Sequence, residues 1–450
     1  MRIPKIIITL LIILSLTLAV TTTAAENWPQ FKYDSRHSGN VADRTITTPL
    51  GLIGAVPLTD AIFTAPVVSD GRVYIVDGAG VVFCIDAVTL DVLWKFDTGA
   101  DKSNCNNVSS PAITGQYLHV GTMAGSYFVL DKNNGDVVKK FSCGEPIFSS
   151  PVVVNDRVYF ATLGSQIYAL EPDGKVCWIW DFVKETLGFD DNRWSGEEWC
   201  KHKSGRVTWR DQFCCAGNIV AHGKLLVIPT GSAICLEDKG SHAELRKMAT
   251  VPSYAGSEKP ATFGLSISKD GLVYQQWHRR DNTGRVEIIP LPGIQAAIEH
   301  VPGTITEINR PSLLSFNSVS IRGRDVYRCR PEEGFGFCKH SLGTEQAQYL
   351  GGYPSITPPI LLRDKAVYGG LDGSLYVIPL SGSGNAWSFK TAFGKAISAP
   401  AAVCDGRVYF GCEDGYLYIL GPGGKAPLPS KDLQLQKIRS PLTSKLADSK

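Results

Sequence analysis

The sequence predicts an all-β chain folded as an eight-bladed propeller, with four antiparallel strands per blade and an N-terminal strand closing the ring. Three observations predict it. The phrase "TAPVVSDGRVYIVDGAGVVFCID" at residues 64–86 returns as "SAPAAVCDGRVYFGCEDGYLYIL" at residues 398–420. Related phrases start at Ser109, Ser149, Ala216, Gly264, Ser315 and Thr357, and the clean units repeat about every 40–45 residues, a period of propeller blades. Finally, the last unit has three strand-like runs before the breaker-rich "GPGGKAPLPS", while residues around Leu50 to Leu58 form a strand with no unit of its own.

Each unit reads alike. A short apolar run meets a turn such as Asp70-Gly71, Asp270-Gly271 or Asp405-Gly406, where Gly accepts positive φ. An alternating run follows, for example Val408-Tyr409-Phe410. A second turn, Asp372-Gly373 or Asp414-Gly415, leads to a third run, Tyr416 to Leu420. Several units add an aromatic fourth run: Leu93-Trp94-Lys95-Phe96, Trp178-Ile179-Trp180 and Ala386-Trp387-Ser388-Phe389. Four short strands cover their faces only against neighbouring units, so the array has to close on itself. The two ends of the chain repeat one phrase because they form adjacent blades.

The first 25 residues carry Arg2 and Lys5, an apolar run and then small residues, the layout of a secretory leader. Cleavage after Ala25, with Thr23 at the −3 position, leaves Glu26 at the mature N-terminus. The run is short for a membrane span, which favours a cleaved leader over an anchor. No Cys adjoins the cleavage site for lipid attachment. The expected organisation is a signal peptide at 1–25, a propeller at 26–424 with an insertion at 184–213, and a flexible Pro-, Ser- and Lys-rich tail at 425–450. The protein is then periplasmic or extracellular, where its 12 Cys are able to form disulfides whose pairing spacing does not fix.

A net charge of +2 gives no electrostatic case for nucleic acid. The sequence holds no His-Glu-x-x-His, Gly-x-Ser-x-Gly, phosphate-binding Gly-Lys-Ser/Thr or Cys-x-x-Cys-His motif. Asn107-Val108-Ser109 is a glycosylation sequon, relevant only in a eukaryotic source.

The unit pattern Ser-Pro…Asp-Gly-x-Val-Tyr…Asp-Gly-x-Leu-Tyr…Leu-Trp-x-Phe resembles the repeat of the PQQ-type propellers, which include quinoprotein alcohol dehydrogenases and BamB-like assembly factors. "NWPQFKYDSRHSG" at residues 27–39 resembles the Trp-Pro-x-Phe…Gly segment that precedes such propellers, and His37 within it reads as structural. The resemblance is strong in the first three and last two units and weak between about 184 and 350. It implies two functions. One is an exported scaffold that binds a protein, such as an envelope protein, or a small ligand on a propeller face. The other is a PQQ-dependent alcohol or sugar dehydrogenase, with PQQ and Ca²⁺ on the axis and a vicinal disulfide, here Cys214-Cys215, against the quinone. No Glu and Asn pair for Ca²⁺ and no Asp base can be matched in the sequence, and a hard cation needs six or more oxygen ligands. The reading is therefore non-catalytic first.

Cys214 and Cys215 either bond to each other in a strained ring or staple loops to separate partners such as Cys200 and Cys235. The staples are the expected outcome, with Cys200 first. The insertion "KETLGFDDNRWSGEEWCKHKSGRVTWRDQF" holds Trp194, Trp199 and Trp209 among balanced charges. It reads either as a ligand or partner loop over one mouth of the central channel, or as a loop packed down by its tryptophans.

Overall fold

The computed structural model describes residues 25–99, 106–189, 192–194, 213–230, 233–249, 261–278, 283–306, 318–329, 336–344 and 346–429. Its strands form eight four-stranded antiparallel sheets, numbered here as blades 1 to 8. Blade 1 is β2–β5 (67–97), blade 2 β6–β9 (112–142), blade 3 β10–β13 (152–181) and blade 4 β14–β17 (220–246). Blade 5 is β18–β21 (261–306), blade 6 β22–β25 (320–351) and blade 7 β26–β29 (360–390). Blade 8 combines β30–β32 (402–421) with β1 (Gly51–Pro57), as the sequence predicts. The β1 strand pairs antiparallel with β32, from Gly51 opposite Gly421 to Pro57 opposite Tyr416.

The first strand of each blade lies innermost. The Asp-Gly turns after it carry the predicted backbone: Asp70 and Gly71 sit at φ +53° and +71°, and Asp405 and Gly406 at +50° and +71°. Both residues left-handed is the two-residue turn that matches strand twist. At the opposite end of the second strand the Asp does different work. Asp414 accepts from the Tyr416 N–H (3.1 Å) and the Tyr418 hydroxyl (2.7 Å). Asp372 does the same for Ser374 (3.1 Å) and Tyr376 (3.0 Å). The Asp-Gly-x-Leu-Tyr phrase is thus a hydrogen-bonded unit, which is why Asp and Tyr recur four residues apart.

The core is a series of apolar layers between blades. Between blades 2 and 3, Tyr127, Phe160 and Tyr168 stack with centroids 4.1 and 4.7 Å apart. Aromatic pairs of this kind add roughly 0.5–1.5 kcal/mol to their burial. The largest layer joins blades 7, 8 and 1, and Ile62, Val73, Val367, Val408 and Leu417 are wholly buried in it. The Ser-Ser-Pro phrase locks neighbours together. Ser109 Oγ donates to the Ser149 carbonyl (2.9 Å), Ser110 N–H to Ser150 Oγ (3.0 Å), and Ser150 N–H to Asn218 Oδ1 (2.7 Å).

The segment 27–44 runs around the axis and visits the blades in order. Trp28 exchanges two backbone hydrogen bonds with Val68 of blade 1 (2.7 and 2.9 Å), and the Pro29 carbonyl accepts from Ile113 of blade 2 (2.8 Å). The Gln30 side chain bonds both backbone groups of Val153 in blade 3 (2.9 and 3.1 Å). Carbonyls of Ser35, Arg36, Ser38 and Gly39 then accept from Ala221, Ile267, Ile321 and Leu361 of blades 4 to 7 at 2.7 to 3.0 Å. Arg44 reaches the Val403 carbonyl of blade 8 and returns to the start of the segment through the Asn27 carbonyl (2.6 Å). Its guanidinium lies 5.3 Å from the Trp28 ring centroid and 4.9 Å from that of Tyr33, a cation–π contact that closes the circle. The blade residues involved sit at one end of the inner strands, next to the first turn, so the segment covers that face of the ring.

Gly39 shows how tightly the segment fits. Its φ is +61°, and a Cβ there would collide with Ser320 Oγ and stand 3.0 Å from the Pro359 carbonyl. Gly39→Ala is expected to lower stability by about 1–3 kcal/mol, read as a fall in the denaturant midpoint; an unchanged midpoint would contradict this fit.

Candidate functional site

The covered end of the axis is filled by the chain itself. Phe31 is 1% exposed and packs on Ala65, Val108 and Ala399 of blades 1, 2 and 8. Lys32 is fully buried and points the other way. Its ammonium donates to Ser318 Oγ (3.0 Å), the Val319 carbonyl (2.7 Å) and Ser266 Oγ (3.3 Å), at blades 5 and 6. Burial lowers its pKa to about 7, partly opposed by Asp34. His37, also buried, lies edge-on to Phe31 with centroids 5.1 Å apart. Burial first, and the Lys32 charge second, hold the imidazole well below its ordinary range. These groups fill the end of the channel with three neutral acceptors already on the ammonium. It is a structural plug, which accords with the structural reading of His37.

The other end of the axis is where the insertion begins. After β13 (Val176–Asp181), the chain forms a short helix α1 (Phe182–Leu187), absent from the sequence reading. Asp181 caps it by accepting from Val183 (3.0 Å) and Lys184 (3.3 Å), and Gly188 ends it at φ +66°. Arg193 then folds back onto blade 3. It makes a two-pronged pair with Asp181, donates to the Gly164 carbonyl (2.8 Å), and sets Nε 3.3 Å from Glu145. Glu145 is itself held by Thr162 Oγ1 (2.6 Å) and Gly164 N–H (3.1 Å). Arg193 and Glu145 are 12% and 8% exposed, so this is a nearly buried charge network in which each group is paired.

Trp194 follows, 38% exposed, with its ring edge-on to the buried Phe213 at 5.6 Å. Phe213 is tied to blades 3 and 4 through its carbonyl, which accepts from Ser165 and from Thr230 (2.8 Å). Both ends of the insertion therefore stand on the second turn of blade 3, on the face opposite the plug. Trp199, Trp209 and Cys200 lie outside the described residues.

The expected staple to Cys200 lies outside the described residues, and the structure bears only on Cys214, Cys215 and Cys235. Cys215 is a wholly buried thiol packed between blades 3 and 4, with Cys214 beside it, and its backbone N–H donates to Leu163 (2.9 Å). Burial holds its thiol well above the ordinary range. Cys235, on β16 (Ile234–Asp238), is a thiol in the layer between blades 4 and 5. Cys215 packs in the layer between blades 3 and 4 and Cys235 in the layer between blades 4 and 5, so the two lie on opposite sides of blade 4. Cys215 is packed into the core between these blades.

Among the described residues no three His, Cys, Asp or Glu side chains converge to hold a metal ion. Arg193, a natural partner for a quinone carboxylate, is engaged by Asp181 and Glu145. The sequon fails on burial. Asn107 is 1% exposed, its Nδ2 donating to the Ser109 carbonyl (3.3 Å) and its Oδ1 accepting from Met123 (3.3 Å).

A family model described as outer membrane protein assembly factor BamB matches residues 55–146 and 109–193. The matched part of the chain, residues 55–193, is thus similar to the PQQ-repeat propellers. A quinoprotein alcohol dehydrogenase, PedH of Pseudomonas putida, is 28% identical over 140 residues, 28% of this chain and 24% of that protein. The chain thus spans about a quarter of that relative's length in the match. Among solved structures, a quinohemoprotein alcohol dehydrogenase of Comamonas testosteroni aligns with a TM-score of 0.62 at 14% identity, over 90% of this chain and 82% of that one. BamB of Moraxella catarrhalis aligns with a TM-score of 0.55 at 12% identity, over 84% and 99%. At such identities the structural matches establish the fold. The eight blades and the repeat accord with the sequence reading, while the matches point to catalytic and scaffold relatives alike.

Two outcomes follow from these sites. Burial lowers the Lys32 pKa to about 7 in the folded chain, whereas in the unfolded chain it lies near its ordinary 10.5. Between these values the unfolded state binds more protons, so wild-type stability should rise with pH over that window and the rise should vanish in Lys32→Met. Denaturant titrations at pH 7 and 10 measure it; parallel pH profiles would refute it. A chain secreted from a eukaryotic host should carry no glycan at Asn107, so glycosidase treatment should leave its mass unchanged.

Proposed function

We propose that the protein is an exported, non-catalytic propeller that binds a protein partner on the face opposite its plugged end. The observation that carries this reading is the division of labour along the axis. Phe31 and Lys32 fill one end, while Arg193 anchors the insertion at the other. A charge network spent on seating a loop start, with Trp194 left partly exposed beside it, suits a recognition loop. Trp is among the residues that dominate protein interfaces. Trp199 and Trp209 follow it in sequence. The similarity to a BamB family model and to a BamB structure supports partners among envelope proteins. The buried Cys215 and the absence of a converging ligand set among the described residues weigh against quinone oxidation.

The local match to quinoprotein dehydrogenases makes the rival reading testable. Purified protein mixed with PQQ and Ca²⁺, then desalted, should retain no quinone absorbance and should not drive dye-linked oxidation of primary alcohols. Retention of stoichiometric quinone with activity would replace the scaffold reading with the dehydrogenase. In parallel, a photo-crosslinking residue at position 194 should give one adduct of defined mass in cells of the source, and Arg193→Ala should diminish it several-fold while the fold remains intact.

A further inference from the structure

We propose that hydrolysis of the Ala25–Glu26 peptide bond creates an α-ammonium group for which Asp405 is the built receptor, so that processing of the chain tightens the seam of the ring. Among the described residues Glu26 is the first that the body of the protein engages, and Ala25 before it is exposed. The Glu26 backbone nitrogen stands 3.2 Å from Asp405 Oδ1. The pair is reciprocal, because the Glu26 carboxylate accepts from the Asp405 backbone N–H at 2.7 Å. Arg44 Nε lies 3.6 Å from the same carboxylate, so the Glu26 side chain is fixed from both sides. The next residue, Asn27, turns the other way and accepts from the Asp70 N–H at 3.1 Å.

Asp405 and Asp70 occupy the equivalent first turns of blades 8 and 1, the two blades brought together at the seam. Residues 26 and 27 therefore bridge the two sides of the closure, one turn each. In the uncut chain the Glu26 nitrogen is a neutral amide with one hydrogen to give. Cleavage adds water across the bond: Ala25 leaves with the new carboxylate, and the Glu26 nitrogen becomes an amine that takes up a proton. The resulting cation faces a carboxylate at hydrogen-bonding distance, and a charge-assisted bond of this kind is roughly twice as strong as a neutral one. The co-reactants are water and a membrane-bound leader peptidase, for which Thr23 and Ala25 supply small residues at −3 and −1.

The inference rests on export, which is read separately from the compartment in which the full chain accumulates. The exported protein should have the intact mass of residues 26–450. It is compared with a cytosolic form that carries Met before residues 24–450, where the Glu26 nitrogen remains an amide. Asp405→Asn keeps a residue that tolerates positive φ. It should lower the melting temperature of the processed form by roughly 1–2 °C more than that of the extended form, the scale of one exposed ion pair. Should Asp405→Asn fail to fold, the wild-type pair suffices: the extended form should melt roughly 1–2 °C below the processed one. An exported chain that starts at any other residue, or forms that melt together and respond equally to Asp405→Asn, would overturn the proposal. Retention in the cytoplasm would defeat the export reading instead.

Discussion

The inner strands of a propeller leave one backbone edge facing the axis, and the hydrogen bonds that satisfy that edge govern the rest of this structure. A buried N–H without a partner costs free energy comparable to a lost hydrogen bond. Here one extended segment supplies the partners in sequence, from Trp28 at Val68 to Gly39 at Leu361, with Gln30 and Arg44 completing the ring through side chains. The chain thereby threads its own hub. A ring held only at one seam would open there, whereas this one is tied at the seam by β1 and again at each blade by the hub.

The hub also decides where function can reside. Turning Phe31 and Lys32 inward costs the fold a desolvated ammonium, offset by three acceptors from two blades. It closes one end of the axis with the apolar Phe31 and a Lys32 ammonium held by neutral acceptors. The opposite end keeps the longer connections, and there the paired Arg193, Asp181 and Glu145 hold a loop start rather than a small anionic ligand. The framework is thus closed at one end of its axis by residues of the chain itself and carries its longer connections at the other. The repeat serves both kinds of relative because it specifies blade packing, and blade packing is indifferent to what the connections carry.

Much of the fold is legible in the sequence because its rules are local. Asp405-Gly406 marks a turn through its φ preference, and Tyr416 to Leu420 marks a strand filled on both faces. Even the seam could be read, because a strand missing at one end and spare at the other has one solution. Blade 6 was fainter, since Arg328 stands where blades 3 and 8 carry Phe160 and Phe410, and His340 where they carry Leu170 and Leu420. The candidate site was far less legible. Trp194 drew notice as an aromatic in a long insertion, but nothing in the string distinguishes Arg193 from other basic residues nearby. Its role depends on Glu145, 48 positions earlier in sequence, and on a turn that presents the Gly164 carbonyl.

The cysteines mark the same boundary. Adjacent Cys214 and Cys215 invite a bond to each other or to Cys235, and only the packing of the blades places Cys215 and Cys235 in different layers, on opposite sides of blade 4. By itself, the sequence determined the eight-fold repeat, the strand alternation, the turns and the closure, because each follows from backbone preference and apolar periodicity within a few residues. Only the tertiary structure decided that residues 27–44 form the hub, that Lys32 plugs the axis, that Asn107 is buried and that Arg193 seats the insertion. Those outcomes depend on pairs of groups far apart in the chain, and the distance between such groups is a property of the closed ring.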